Sequence, residues 1–157
     1  EELQTQNHLS IRRGPFVVSA VLDESESEEP LRLSGSFVDL FDPSLPVVKE
    51  RVYQVDERGL LYDLDWARRT GVRAKVVAAG TRVRNEKLDG ETFSFDTRGP
   101  SGTTATARIL LPAEPREVRS EPSVEMERLW DADSGTLWLS FGNRADNVRF
   151  SMAIAAQ

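Results

Sequence analysis

The chain has no cysteine and a single histidine, His8. Without thiols, disulfide staples, thiolate nucleophiles and cysteine-ligated metals are excluded. One imidazole cannot make a multi-histidine metal centre, and a Ser-His-Asp triad would have to be assembled around a residue near the N-terminus. No apolar run approaches the roughly 18 residues that a membrane helix needs. Gly-rich phosphate loops, nucleophile elbows and the HExxH pattern are also missing. Concentrated basic charge is scarce: 20 Lys and Arg stand against 26 Asp and Glu, a net charge of −6. Such a surface repels nucleic acid and anionic membranes unless a basic patch is segregated from the acid. Along the chain only Arg12-Arg13 and Arg68-Arg69 stand together, and both read as scattered solvated charge.

What is present fits a soluble globular chain: 157 residues, 39% hydrophobic and 29% charged, enough for one domain with a sizeable core. Residues 1–157 are expected to form a single β-sandwich domain. The apolar spacing has period two almost throughout, so the expected elements are strands. FVVSAVLD (Phe16 to Asp23) is apolar on both faces and suits a central buried strand. LRLSGSFVDLFD (Leu31 to Asp42) aligns Leu31, Leu33, Phe37 and Phe41 on one face, with Gly35 as a bulge. Nine further strands are expected at 47–55, 60–64, 72–79, 81–88, 91–96, 103–111, 124–130, 136–141 and 148–154. Glu24 to Pro30 reads as a mobile acidic loop. Asp89-Gly90 is a hairpin dipeptide, and PAEP (Pro112 to Pro115) cannot continue a ladder. Only DWARRTG (Asp65 to Gly71) invites a helix, barely two turns long. Many short strands with Pro and Gly punctuation predict an all-β, antiparallel sandwich of about ten to twelve strands.

WDADSGTLW, Trp130 to Trp138, raises the sharpest functional question. Asp131 and Asp133 ahead of Gly135 resemble the start of a calcium loop, but an EF-hand would need Gly at its sixth position and Glu at its twelfth, where this chain has Thr136 and Gly142. A four-residue hairpin turn explains the same residues without metal. No cofactor is therefore expected, with calcium at Asp131 and Asp133 the one alternative. Strand parity puts Leu137, Leu139 and Phe141 in the core and turns Trp138 to the other face with Thr136 and Ser140. Trp130 goes inward with Val124 and Met126. An indole on a sheet face beside hydroxyls and carboxylates is what stacking against a sugar ring requires.

Glycoside hydrolysis would need two facing carboxyl groups. YDLDW holds the best pair, Asp63 and Asp65, beside Tyr62 and Trp66, although paired acids are common at the turns of an acidic chain.

RGPSGTTATARILLPAEPREV (Arg98 to Val118), VEMERLWDADSGTLWLSFGNRADNVRFSMAI (Val124 to Ile154) and FVVSAVLDES…LSGSFVDLFDP (Phe16 to Pro43) resemble the C-terminal β-sandwich accessory domains of glycoside hydrolases. The shared features are a strand closing on Trp-Asp, a short acidic turn, a Thr-Leu strand and an Asn-containing turn. The resemblance implies a non-catalytic accessory sandwich, an extracellular or periplasmic setting, and carbohydrate or a neighbouring catalytic domain as partner, while charge and hydropathy argue against nucleic acid and membrane. The expected glycan contacts are Trp138 first, then Trp66 and Tyr62, supported by Asp63, Asp65 and Arg149. The alternative is a structural domain whose Trp138 face packs on a catalytic neighbour and binds no ligand; an enzyme using the YDLDW carboxylates is a third reading.

Overall fold

Alternating apolar residues make the chain all-β: thirteen strands and one short helix lie among the described residues, in three antiparallel sheets. The computed structural model describes residues 7–22 and 29–154. Most of the expected acidic loop lies outside the described residues. The chain divides into two compact units, Glu1–Asp42 with Pro46–Gly71, and Pro43–Leu45 with Val72–Gln157.

The first unit contains β1 (His8–Arg13), β2 (Phe16–Val21), β3 (Leu31–Asp39), β4 (Val47–Tyr53), β5 (Arg58–Asp63) and the helix α1 (Leu64–Arg69). They form one sheet ordered β1-β2-β5-β3-β4, with Val17, Phe37 and Leu61 at its core. Gly14, at φ +59, opens the two-residue Gly-Pro loop between β1 and β2. The fixed negative φ of Pro15 leaves a type II′ turn as the one that fits. Gly35 sits at the β3 bulge, where the register shifts between Ser34 and Phe37.

Two expectations for this half fail. β2 is not buried on both faces: Val17, Ser19 and Val21 are buried, while Phe16 and Val18 are exposed. Phe41 does not join Phe37 on a strand face, because β3 ends at Asp39 and Phe41 is 61% exposed. The Asp39 carboxylate accepts from the Phe41 backbone N–H at 3.0 Å, closing a turn at that point.

The second unit holds β6 (Lys75–Ala79), β7 (Arg82–Asp89), β8 (Thr92–Arg98), β9 (Thr104–Leu110), β10 (Pro115–Glu121), β11 (Met126–Asp131), β12 (Thr136–Gly142) and β13 (Val148–Ile154). Sheet β10-β13-β8-β7 faces sheet β11-β12-β9-β6. Their inner residues, among them Phe93, Phe95, Ile109, Leu139, Phe141, Phe150 and Met152, make one core. Phe141 from one sheet meets Phe150 from the other, ring centroids 4.6 Å apart, so this unit is a β-sandwich. Glu86, at the bulge of β7, ties the two edge strands together by accepting from Val76 N at 2.8 Å and Lys75 Nζ at 2.7 Å.

β1 and β10 have no counterpart among the expected strands. Both are edge strands in their sheets and mostly exposed, so neither shows the alternation that reveals a half-buried strand. The β7–β8 loop also shifts by one residue: Gly90 and Glu91, not Asp89 and Gly90, are central, with Asp89 paired to Thr92. Gly90 takes φ +56 at the first central position, as a type II′ turn requires.

Candidate functional site

β12 lies between β11 and β9, and its alternation is sharp: Leu137, Leu139 and Phe141 are buried in the core. Trp138 therefore points outward. Its cross-strand neighbours are Leu129 on β11 and Arg108 on β9, and the next outward row is Glu127, Ser140 and Thr106. Trp138 is half-buried and Leu129 is 65% exposed. The indole N–H donates to the Ser44 carbonyl at 3.0 Å. Arg108 Nε donates to the neighbouring Leu45 carbonyl, also at 3.0 Å. The segment Pro43–Leu45 is thus held against the outer face by two side chains. Leu45 adopts φ +51 there, a costly conformation for a residue with a Cβ.

Arg108 is 7% exposed. Burial lowers its pKa, and Asp131 acts in the opposite direction. The connection between them runs through two hydroxyls. Arg108 Nη1 donates to Thr136 Oγ1 at 3.4 Å, Thr136 and Ser134 hydroxyls lie 2.7 Å apart, and the Ser134 hydroxyl donates to Asp131 Oδ2 at 2.7 Å. Since each hydroxyl has one proton, the Thr136 O–H must donate to Ser134, giving a single direction from guanidinium to carboxylate.

Asp131 Oδ1 also accepts the backbone N–H groups of Asp133 and Ser134, at 3.1 and 3.2 Å. Burial raises the Asp131 pKa, but these hydrogen bonds and the Arg108 charge outweigh it and hold the carboxyl below its usual range. Its oxygens are committed to the turn, Gly135 takes φ +55 at its end, and Asp133 is exposed. No cluster of three or more His, Cys, Asp or Glu suited to a metal occurs among the described residues.

The YDLDW residues belong to the first unit and have local tasks. Asp63 is the N-cap of α1: its Oδ1 accepts from Trp66 N at 2.8 Å, and its Oδ2 meets Arg12 Nη1 at 2.6 Å. Asp65 Oδ2 accepts from Ser36 N at 3.0 Å, and its Oδ1 lies 3.3 Å from Arg68 Nη1. Tyr62 is buried, edge-to-face with Phe16 at 5.3 Å. Trp66 is half-buried, its indole against Gly14. Arg149 lies on β13, in the sheet opposite Trp138, 3.7 Å from Asp96. Tyr62, Asp63, Asp65 and Trp66 thus belong to the first unit, and Trp138 and Arg149 lie on different sheets of the second.

Sequence reading overlooked Arg108, Ser44 and Leu129, which surround Trp138. Leu129 could have been found by alternation from Trp130; Ser44 could not, being 94 residues from its partner. It also overlooked a cleft of about 80 Å³ lined by Glu114, Pro115, Arg128, Trp130 and Leu137. That is well below the roughly 300 Å³ at which ligand pockets begin. No family model, curated protein or solved structure matches the chain.

Proposed function

We propose that this chain is a non-catalytic module that binds glycan on the outer face of β11-β12-β9. The half-exposed Trp138 indole carries this reading. Its N–H is held by Ser44, so the ring is preset in one orientation, and a preset aromatic loses little entropy when a sugar covers it. Leu129 extends the apolar surface, while Ser140, Thr106 and Glu127 on the adjoining row are groups that can bond sugar hydroxyls. The non-catalytic part is supported by the carboxylates, since Asp63, Asp65 and Asp131 are each engaged, in a helix cap, at the β3 bulge and in a turn.

The exposure of Leu129 favours a second reading, in which the same face docks on a protein neighbour. A panel of neutral oligosaccharides titrated against tryptophan fluorescence separates the two. Glycan binding predicts a saturable change that is lost in Trp138→Ala and kept in Trp66→Ala. An unresponsive wild-type protein sinks the glycan reading and leaves the docking one.

A further inference from the structure

The outer face of the other sheet holds a basic cluster that the linear sequence conceals. Strand alternation and pairing assemble it: Arg82 on β7 stands directly opposite Arg98 on β8, and Arg84 stands opposite Asp96, whose other neighbour is Arg149 on β13. Directly opposed side chains have Cβ atoms about 5 Å apart, and positions i and i+2 are separated by about 7 Å. Arg82, Arg84 and Arg98 are all exposed and make no ion pair among the described residues. The acid opposite Arg84 is already engaged elsewhere: Asp96 is buried, its Oδ2 accepts from Asn85 Nδ2 at 2.6 Å, and its Oδ1, without a hydrogen bond among the described residues, lies 3.7 Å from Arg149. Glu121 faces Arg149, not the other three.

Solvated edge charge is the plain explanation, since β7 is an edge strand and charges there discourage edge-to-edge pairing. That role does not need two arginines directly opposed, an arrangement that costs stability. Nor does it explain why, in a chain with six more acids than bases, three neighbouring guanidinium groups make no ion pair among the described residues. Planar guanidinium forks match carboxylate and sulfate oxygens in pairs.

We propose that the Arg82–Arg84–Arg98 face binds an acidic polysaccharide through its carboxylate or sulfate groups. Charge complementarity selects a polyanion. Among polyanions, nucleic acid is disfavoured because the outward positions of β7 and β8 hold no aromatic side chain for base stacking. The broad sheet face also presents no helix or isolated ribbon to a groove. Ser94 and Ser151, adjacent outward residues on β8 and β13, supply hydroxyls for a sugar chain. This face does not involve Trp138 and stands or falls separately from it.

The test is affinity electrophoresis of the full chain in gels containing polygalacturonate, dextran sulfate or neutral dextran, with a 20-base-pair DNA duplex titrated in parallel. Retardation by polygalacturonate identifies carboxylate as the ligand group, by dextran sulfate sulfate. In either case the effect should weaken at least tenfold in Arg82→Ala/Arg84→Ala/Arg98→Ala and persist in Trp138→Ala. Arg82→Glu alone, at an exposed position, should weaken it severalfold and serves if the triple variant does not fold. No retardation by either acidic polymer, equal retardation of the variants, or tighter binding of the duplex would overturn the proposal.

Discussion

Arg108 and Asp131 are linked through two hydroxyls, those of Thr136 and Ser134, which stand between guanidinium and carboxylate. Ser134 and Thr136 are fully buried and Arg108 nearly so. In that setting a line of aligned hydroxyls is polarised from both ends, and breaking one link leaves its neighbours unpaired. Ser134→Ala should therefore cost about 1–3 kcal/mol, read by urea unfolding. A change within a few tenths would show that the hydroxyl line carries no stability.

The same pair gives a pH dependence. The Asp131 pKa is lower in the folded protein than the ordinary 3.8, so its contribution is fully present above about pH 4 and is lost as the pH falls through the folded value. Asp131→Asn keeps the turn-forming side chain but not the charge. The stability gap between wild type and Asp131→Asn should be open at pH 7 and narrow below pH 4. A gap independent of pH from 7 to 2.5 would remove charge from the account.

Trp138→Phe deletes the N–H that meets Ser44 while keeping an aromatic face. The lost hydrogen bond is worth about 1 kcal/mol, and Ser44 is an exposed residue. Unfolding should show a loss of that size, and proteolysis within Pro43–Leu45 should become faster. Unchanged cleavage would mean that the Trp138 N–H does not secure the segment.

Tyr53 and Gly59 make a packing test in the first unit. Tyr53 is fully buried, and its hydroxyl has no hydrogen-bond partner among the described residues. Burial pushes the Tyr53 pKa up. A Cβ placed on Gly59 would collide with the Tyr53 hydroxyl, so Gly59→Ala should destabilise by about 1–3 kcal/mol. Tyr53→Phe should be close to neutral alone and should recover part of the Gly59→Ala loss. Strict additivity in the double variant would contradict the contact.

Asp63→Ala removes both the cap of α1 and the partner of Arg12. A cap is worth about 1 kcal/mol, so the variant should lose at least that, while Arg12→Ala, at a half-exposed pair, should lose less than 1 kcal/mol. Equal losses would assign the whole effect to the ion pair.

Much of this architecture is legible in the sequence because burial on one face of a strand imposes period two on the residues. That rule separates Leu137, Leu139 and Phe141 from Trp138, and it locates most of the strands. Gly35 and the Asp131 to Gly135 turn are legible for a local reason, backbone geometry that few residues tolerate. The edges β1 and β10 are not, because a strand mostly exposed to water carries no periodic signal. Nor is the exposure of Phe16 and Val18, since composition records which residues are apolar and not which face is covered. The partners of functional interest are long-range: Ser44 reaches Trp138, and Arg108 reaches Asp131, only after β9, β11 and β12 have paired. The arginine face has the same origin. Arg82, Arg84, Arg98 and Arg149 look scattered along the chain, and only sheet register sets them side by side.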